Sequence, residues 1–479
     1  MINPVNQLKL KHLYLRAGFG LNISEFNKLF GISLKRCISD IFENSNNYSD
    51  LKAGSVTDLS AYKLRDSDSK KFTKEERKIL IKESRNYIRD MNTEWIYKMA
   101  EDRAQLREKM TLFWHGHFAC RTPVAVFAKN QNNTIRKNAL GKFGDLLREI
   151  SKDPAMLQFL NNQQNRKSSP NENFARELME LFTMGRGNYS EKEIKEAARA
   201  FTGWGFDREG KFKNRIRFHD NGEKTFMGET GNFDGDDIIN MILENRRTSE
   251  FITEKIFKYF VNENSDKEKI RELSEKFYDS EYDIYSLMKN IFTSDWFYDK
   301  ENIGIKIKSP VEFLAGLIRI FKIEFSNPTA LVAVQKILGQ MLFNPPNVAG
   351  WPGGRSWIDT SSLMYRLKFP GIIFGSPEAS LDHRYNINDT SDADETDMKM
   401  QKNFSGRFKA TSDIKGFTEA FSRYDRDELF DRLTEFLLQT EISSGTKSIV
   451  MKYADESEKK YSAESMTIRI LSLPEYQMC

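Results

Sequence analysis

The chain has 479 residues, 39% hydrophobic and 30% charged, which is long enough to bury a sizeable core and typical of a water-soluble protein. Its formal net charge of +4 is small for this length and argues against a nucleic-acid-binding protein. Three cysteines without a Cys-x-x-Cys pair argue against a disulfide framework and a thiolate zinc site. The sequence opens on no signal-peptide pattern and contains no apolar run of the roughly 18 to 20 residues that span a membrane. We therefore expect a cytoplasmic protein, or one exported with a partner or after loss of a leader.

Helical patterns dominate the chain. Between residues 81 and 118 apolar side chains recur one turn apart, with good capping residues at 90–93 that predict a break. Capping boxes at Ser190 and Ser309 predict two further helix starts. Strand signals are sparse. The sequence predicts a mainly α fold with Gly/Pro-rich loops and at most a short β-hairpin, and its length would allow two or three domains.

Residues 376–412 differ from the rest in composition. They are polar, acidic in their middle and poor in apolar side chains. Such a segment buries too little apolar surface to offset the entropy of ordering it. We predict a mobile polar insertion within the domain.

One helix face stands out for its polar side chains. At 100° per residue, Asn173, Arg176, Glu177 and Glu180 fall on the side opposite the apolar residues of the helix that follows Asn171. Two carboxylates one turn apart, with an arginine and an amide, can bind a cation, hold a base or clamp a polar substrate. The alternative, which the helix alone favours, is a solvated face on which arginine and glutamate pair.

Histidine is scarce, with five in the chain, and two of them stand in a Trp-His-Gly-His-Phe run. On a helix His115 and His117 lie about 200° apart, so they can share one ion only if the helix ends near Gly116. Otherwise one points into the core, where a histidine usually donates to a carbonyl, and the other points outward. Adjacent His219 and Asp220 can serve as a metal-ligand pair or as an acid/base couple. The alternative is that Asp220 belongs to an Asx-type turn.

Residues 344–357 are rich in proline and glycine and contain two tryptophans. Proline fixes the backbone, and glycine allows close approach. The run predicts either a rigid aromatic rim around a pocket, with Trp351 on it and Arg355 clamping an anion, or a structural loop stacked on helices. The sequence contains no phosphate-binding loop, Rossmann fingerprint, Gly-x-Ser-x-Gly elbow or His-Glu-x-x-His run.

These motifs, in their order along the chain, resemble the bacterial family of domains of unknown function numbered 1800. The matching stretches are 13–20, 109–118, 165–185, 197–204, 219–220, 224–228, 309–312, 345–354 and 473–477. The resemblance implies one large helical domain over residues 1–479, and it implies no established activity. It does imply a bacterial protein of an often exported family, encoded beside a sulfatase-like protein of the family numbered 1501, which is the expected partner.

The residues support two hypotheses on function. In the first, the chain is a metal- or acid/base-dependent hydrolase of a polar or anionic substrate. Its cofactor would be a divalent metal ion bound by His115, His117, His219 and Glu177. Its catalytic residues would be Glu177, Glu180, His219 and Asp220, and its substrate-binding residues Asn173, Arg176, Trp204, Trp351 and Arg355. In the second, the chain is a non-catalytic helical scaffold or export partner of the sulfatase-like protein, and its polar clusters only fix helix packing.

Overall fold

The computed structural model describes residues 4–29, 31–52, 73–375, 408–454 and 459–479. Its α-helices, in chain order, are α1 Pro4–Ala17, α2 Ile23–Lys28, α3 Leu34–Asn44, α4 Lys74–Glu101, α5 Gln105–His117, α6 Ala125–Asn138, α7 Phe143–Ser151, α8 Pro154–Phe159, α9 Asn173–Glu177, α10 Glu191–Ala200, α11 Gly235–Glu244, α12 Arg246–Phe260, α13 Lys267–Asp279, α14 Ile284–Thr293, α15 Pro310–Phe321, α16 Thr329–Ile337, α17 Thr360–Phe374, α18 Ile414–Glu419, α19 Arg426–Leu437, α20 Ser444–Tyr453 and α21 Lys459–Leu471. A π-helical stretch, Leu178–Thr183, continues α9. Short 3-10 turns cover Asn162–Gln164, Ile216–Phe218, Asp295–Tyr298, Gly354–Trp357 and Pro474–Gln477.

The strands are short and pair in twos, all antiparallel. They are β1 Trp204–Phe206 with β2 Phe212–Asn214, β3 Lys224–Phe226 with β4 Glu229–Gly231, and β5 Glu324–Phe325 with β6 Ala410–Thr411. The mainly α fold class is confirmed, although two hairpins and one further strand pair are present where one hairpin at most was expected. None of the described helices is both long enough and apolar enough to cross a bilayer.

Capping residues begin several of the helices. The Ser190 hydroxyl accepts from the backbone N–H of Glu193, whose carboxylate accepts in return from the N–H of Ser190. Ser309 and Glu312 form the same reciprocal pair at the start of α15. Both helix starts predicted from capping boxes are therefore confirmed.

The predicted break at 90–93 is wrong, because α4 runs through these residues without interruption. The Asn92 side chain is buried and donates to Gln335 Oε1 at 3.0 Å and to the Leu342 carbonyl at 3.2 Å. It therefore holds α4 against α16 and the loop after it instead of capping a helix.

The predicted insertion at 376–412 lies mostly outside the described residues. Its last part, 408–412, is described and belongs to the fold: Phe408 is buried, and β6 pairs with β5.

Helix α5 is covered on all sides. All its residues except Gly116 are buried, and it packs against α1, α3, α4 and α6. Because a charge in such a place is costly without a partner, its polar residues must be bonded by neighbouring segments. Glu108, which is fully buried, accepts from Trp95 Nε1 at 2.8 Å and from the Arg136 guanidinium at 2.8 and 3.2 Å.

Replacement of Arg136 by methionine should be strongly destabilising, since it leaves the buried Glu108 carboxylate with Trp95 as its hydrogen-bond donor and with Lys98 Nζ only at 3.9 Å. We expect a loss of about 3–5 kcal/mol in the free energy of unfolding, measured as a lower urea midpoint. Arg36→Met removes an exposed ion pair with Asp40 and is the matched control, which should leave the midpoint unchanged. Equal midpoints for the two variants would contradict the structural role of the buried pair.

Candidate functional site

A pocket of about 470 Å³ opens at the C-terminal end of α5. Its walls are α5, α12, the segment that leads into α15 and the loop 349–357. The titratable side chains that line it are His117, Lys255, Lys258, Tyr259, Glu263, Lys306, Glu312 and Arg355. A larger hollow, of about 640 Å³, lies along the first turns of α17, but Asp359 and Lys368 are its only charged lining residues. The first pocket is therefore the better candidate for chemistry.

His117 lies in the wall of this pocket with its tautomer set by its partners. Its Nε2 lies 3.0 Å from the Phe182 carbonyl, which can only accept, so Nε2 carries the proton. Its Nδ1 is then an acceptor and faces Lys255 Nζ at 3.4 Å. Burial, and then the charge of Lys255, hold the pKa of His117 well below its usual range. The ring is therefore a neutral acceptor at physiological pH.

Lys255 reaches the same place from α12. Its Nζ donates to the Leu181 carbonyl at 3.0 Å and lies 4.7 Å from the centroid of the Phe251 ring. Leu181 and Phe182 are in the last turn of the π-helical stretch, where carbonyls have no partner within their own helix. Burial, and then the neighbouring Lys258, lower the pKa of Lys255 to about 8.

His115 lies on another side of α5 and does not face the pocket. Its Nε2 accepts from the backbone N–H of Phe343 at 3.1 Å, and its ring lies 5.7 Å from that of Trp351. Burial, and then Arg136, lower the pKa of His115 to about 3. Both histidines of the Trp-His-Gly-His run are thus buried, and the helix continues through Gly116 to His117. His115 supports the loop that borders the pocket.

Glycines let the loop 349–357 approach α5 and the segment that follows α12. A side chain at Gly350 would collide with the Gly116 carbonyl, and φ at Gly350 is +77°, a backbone conformation that favours glycine. At Gly354, where φ is +55°, a Cβ would come within 2.6 Å of the Glu263 carboxylate. Gly116 itself faces open space on its Cβ side. The absence of side chains at these positions therefore shapes the pocket.

Cations outnumber acids around the pocket. Lys306 is 8% exposed and donates to the carbonyls of Lys258 and Tyr259, and no carboxylate in the described part of the chain pairs with it. Burial raises the pKa of Glu312, but its pair with Lys109, the charge of Lys306 and the Ser309 N–H outweigh burial and lower that pKa to about 2. Arg355 is exposed at the rim. The fixed charges thus leave the pocket net positive.

Three of the residues predicted from the sequence line this pocket: His117, Trp351 and Arg355. The pocket does not include the predicted catalytic residues Glu177, Glu180, His219 and Asp220.

The charged side chains of the predicted polar face after Asn171 pair with residues close to them in the sequence. Arg176 pairs with Glu172 at 3.1 Å and Glu191 at 2.8 Å. Glu180 accepts from Arg186 at 2.5 Å and from the Tyr189 hydroxyl at 2.9 Å. Because the helix becomes π-helical at Leu178, the spacing of 100° per residue does not hold beyond that point. Glu177 is half-buried, and burial, with Glu180, raises its pKa.

The remaining predicted residues lie in local structure. Asn173 donates to the Leu160 carbonyl, and Trp204 is buried between Phe201 and Phe212. His219 donates from Nδ1 to the Thr202 carbonyl at 2.9 Å.

Asp220 pairs with Arg199 at 2.8 Å, which lowers its pKa. It also accepts from the Gly222 N–H at 2.8 Å, the bond expected of an Asx-type turn.

The structure does not gather the proposed metal ligands His115, His117, His219 and Glu177. Among the residues it describes, no three His, Cys, Asp or Glu side chains are close enough to hold one ion. His117 is not available to bind a metal ion, because Nε2 carries a proton and Nδ1 faces the Lys255 ammonium group.

Sequence reasoning missed Lys255, Tyr259, Lys306 and Glu312 as pocket residues. The sequence did mark Glu312 as a capping residue, but not as a partner of Lys109. Lys255 and Tyr259 are one helical turn apart on α12, a spacing that also fits an ordinary amphipathic surface. Only the packing of segments that are distant in the sequence distinguishes a pocket wall from such a surface.

The tautomer of His117 is directly measurable. We expect nitrogen NMR of labelled imidazoles to show a neutral His117 ring protonated at Nε2 from pH 8 down to pH 5.5, because its pKa is lowered. His117→Gln assigns the resonance and serves as the control. Appearance of the imidazolium near pH 6.5, or a proton on Nδ1, would contradict the proposed bonds.

Comparison with known proteins gives one match. The model of a family described as a protein of unknown function (DUF1800) matches residues 12–478, nearly the whole chain. No curated protein and no solved structure matches the chain. The matched range includes every wall of the pocket. The resemblance in the sequence motifs is confirmed, and the chain belongs to the DUF1800 family.

Proposed function

We propose that the protein is an enzyme that binds an anionic substrate in the pocket at the end of α5 and uses Lys255, oriented by His117, as a general base. The observation that carries the proposal is a partly buried lysine of lowered pKa that contacts a neutral imidazole in a cation-lined pocket. Such perturbed groups cluster at functional sites.

The charge of the pocket supports an anionic substrate. Lys255, Lys306 and Arg355 have no carboxylate partner among the described residues, whereas Lys258 pairs with Glu254 at 2.8 Å. Trp351 and Trp357 also line the pocket, and apolar walls strengthen the field of fixed charges. Arg355 offers two parallel N–H donors, which match a carboxylate, phosphate or sulfate group.

Lys255 has the properties of a general base. With a pKa near 8, roughly a tenth of the amine is neutral at pH 7. Its hydrogens point to the Leu181 carbonyl and His117 Nδ1, which leaves the nitrogen lone pair of the neutral amine to take a proton. For hydrolysis, the reaction class inferred from the sequence, a water molecule would give a proton to Lys255 while its oxygen forms a bond to the phosphorus, sulfur or acyl carbon of the substrate ester. The bond from that atom to the alcohol oxygen then breaks, and the departing alcohol takes the proton back from the Lys255 ammonium group.

The alternative is a non-catalytic partner of a sulfatase-like protein. In that case the pocket binds no small anion, and its lysines only join α12 to α5 and to the π-helical stretch. The two functions are separated by ligand binding and by the titration of Lys255.

Binding can be tested with the anionic probe anilinonaphthalene sulfonate, displaced by phosphate, sulfate and citrate, with the fluorescence of Trp351 and Trp357 as a second signal. Arg355→Met should weaken displacement about tenfold, equivalent to about 1.4 kcal/mol, while Arg36→Met should have no effect.

Gly116→Ala adds a methyl group toward the open space and should weaken binding without lowering stability, because alanine favours the helix by up to about 1 kcal/mol. Binding that is unchanged in both pocket variants would reject this site.

Lys255 should titrate below the ordinary range of lysine. We expect competitive acetylation, followed by peptide mass spectrometry, to give a midpoint for Lys255 at about pH 8. Hydrolysis of para-nitrophenyl phosphate, sulfate or carboxylate esters should rise as the pH increases through that value, because the base must be deprotonated.

Lys255→Met should abolish this hydrolysis, and Lys255→Arg should not restore it, because arginine stays protonated. A Lys255 midpoint near 10.5 would rule the residue out as the base.

A further inference from the structure

A second, much smaller cavity lies behind the pocket. It measures about 20 Å³ and is lined by residues of α1, α5 and α15 and by residues after α21. Lys109, Lys308, Glu312, Phe313 and Tyr476 are among its lining residues. Glu312 borders both cavities, but Lys308 borders only the small one.

Buried cations are concentrated around this cavity. Arg16, Lys109, Lys306, Lys308 and Arg366 are each less than 9% exposed. The negative charges that act on Lys308 are those of Glu312 and Cys479, and Glu312 already pairs with Lys109. Burial of an ammonium or guanidinium group costs several kcal/mol unless an opposite charge compensates it. The cluster therefore carries more positive charge than its own acids balance.

The same side chains hold more hydrogen-bond donors than acceptors. Lys308 Nζ donates to the Tyr476 carbonyl at 2.7 Å and lies 3.8 Å from the centroid of the Tyr476 ring, so its other N–H groups have no protein acceptor among the described residues. Arg366 Nη1 donates to the Lys308 carbonyl, but its Nε and Nη2 are buried without an acceptor in that part of the chain. The same holds for Arg16 Nε and Nη1 and for Gln477 Nε2.

We propose that the small cavity binds a monovalent anion the size of chloride, held chiefly by the ammonium group of Lys308. A volume of about 20 Å³ admits one sphere the size of a water molecule, which excludes phosphate and sulfate. A water molecule can accept from Lys308 but leaves the excess charge uncompensated, whereas a halide does both. Burial, with Arg366 and Lys109 nearby, lowers the pKa of Lys308 to about 8, and a bound anion would offset that effect.

This anion is separate from the substrate proposed for the larger pocket. It would be a structural component that stabilises the junction of α1, α15 and the segment around Tyr476. Either proposal can fail without the other, because the two cavities have different lining lysines.

Crystals of the full chain grown in bromide test the proposal directly. We expect one anomalous peak in contact with Lys308 Nζ. In solution, the melting temperature of the wild type should rise by roughly 3 °C in chloride relative to gluconate at the same ionic strength, since gluconate is too large for the cavity.

Variants add specificity to this test. Lys308→Met should abolish the chloride-dependent rise, while Lys322→Met, which removes an exposed pair with Asp413, should keep it. Should Lys308→Met fail to fold, the wild-type bromide and chloride measurements still decide. No bromide peak at Lys308 together with equal melting temperatures in chloride and gluconate would overturn the proposal.

Discussion

Helix α5 is buried at every residue except Gly116 and still carries charged side chains, and the packing of the segments around it depends on how those charges are paired. Glu108 bonds to Trp95 on α4 and Arg136 on α6. Lys109 donates to carbonyls at the end of α1 and pairs with Glu312 on α15. Each charge thus binds a different neighbour. Since an unpaired buried charge is costly, each segment has one favourable position around the helix.

The end of α5 connects this packing constraint to the candidate site. His115 and His117 point to different neighbours, the first to the loop that contains Phe343 and the second to the end of the π-helical stretch. Gly116, between them, leaves room for the pocket. One short sequence therefore supports the rim, supplies the imidazole that contacts Lys255 and keeps the space open. This arrangement explains why the run looked like a ligand pair in the sequence although its histidines have structural partners.

The sequence was informative wherever the relevant interaction is local. The capping boxes at Ser190 and Ser309 are such interactions, since both partners lie within three residues. The break expected at 90–93 was wrong because the partner of Asn92 is Gln335, which no local pattern connects with it. The predicted polar face after Asn171 does not keep its angular spacing beyond Leu178, because a π-helical stretch begins there. Pocket residues such as Lys255 could not be recognised, because their burial depends on segments far away in the chain.

The contact between Gly116 and Gly350 has a consequence for how the chain folds. These residues are separated by more than two hundred positions, yet their backbones touch, and His115 bonds to Phe343 beside them. The entropy of closing so long a loop must be offset before the contact forms, and contacts of this kind slow folding. The helices around α5 can assemble from nearer partners first. A nascent chain in which residues 344–357 have not yet been synthesised would therefore contain much of its core but not the rim of the pocket. The binding pocket is then among the last parts of the molecule to be completed.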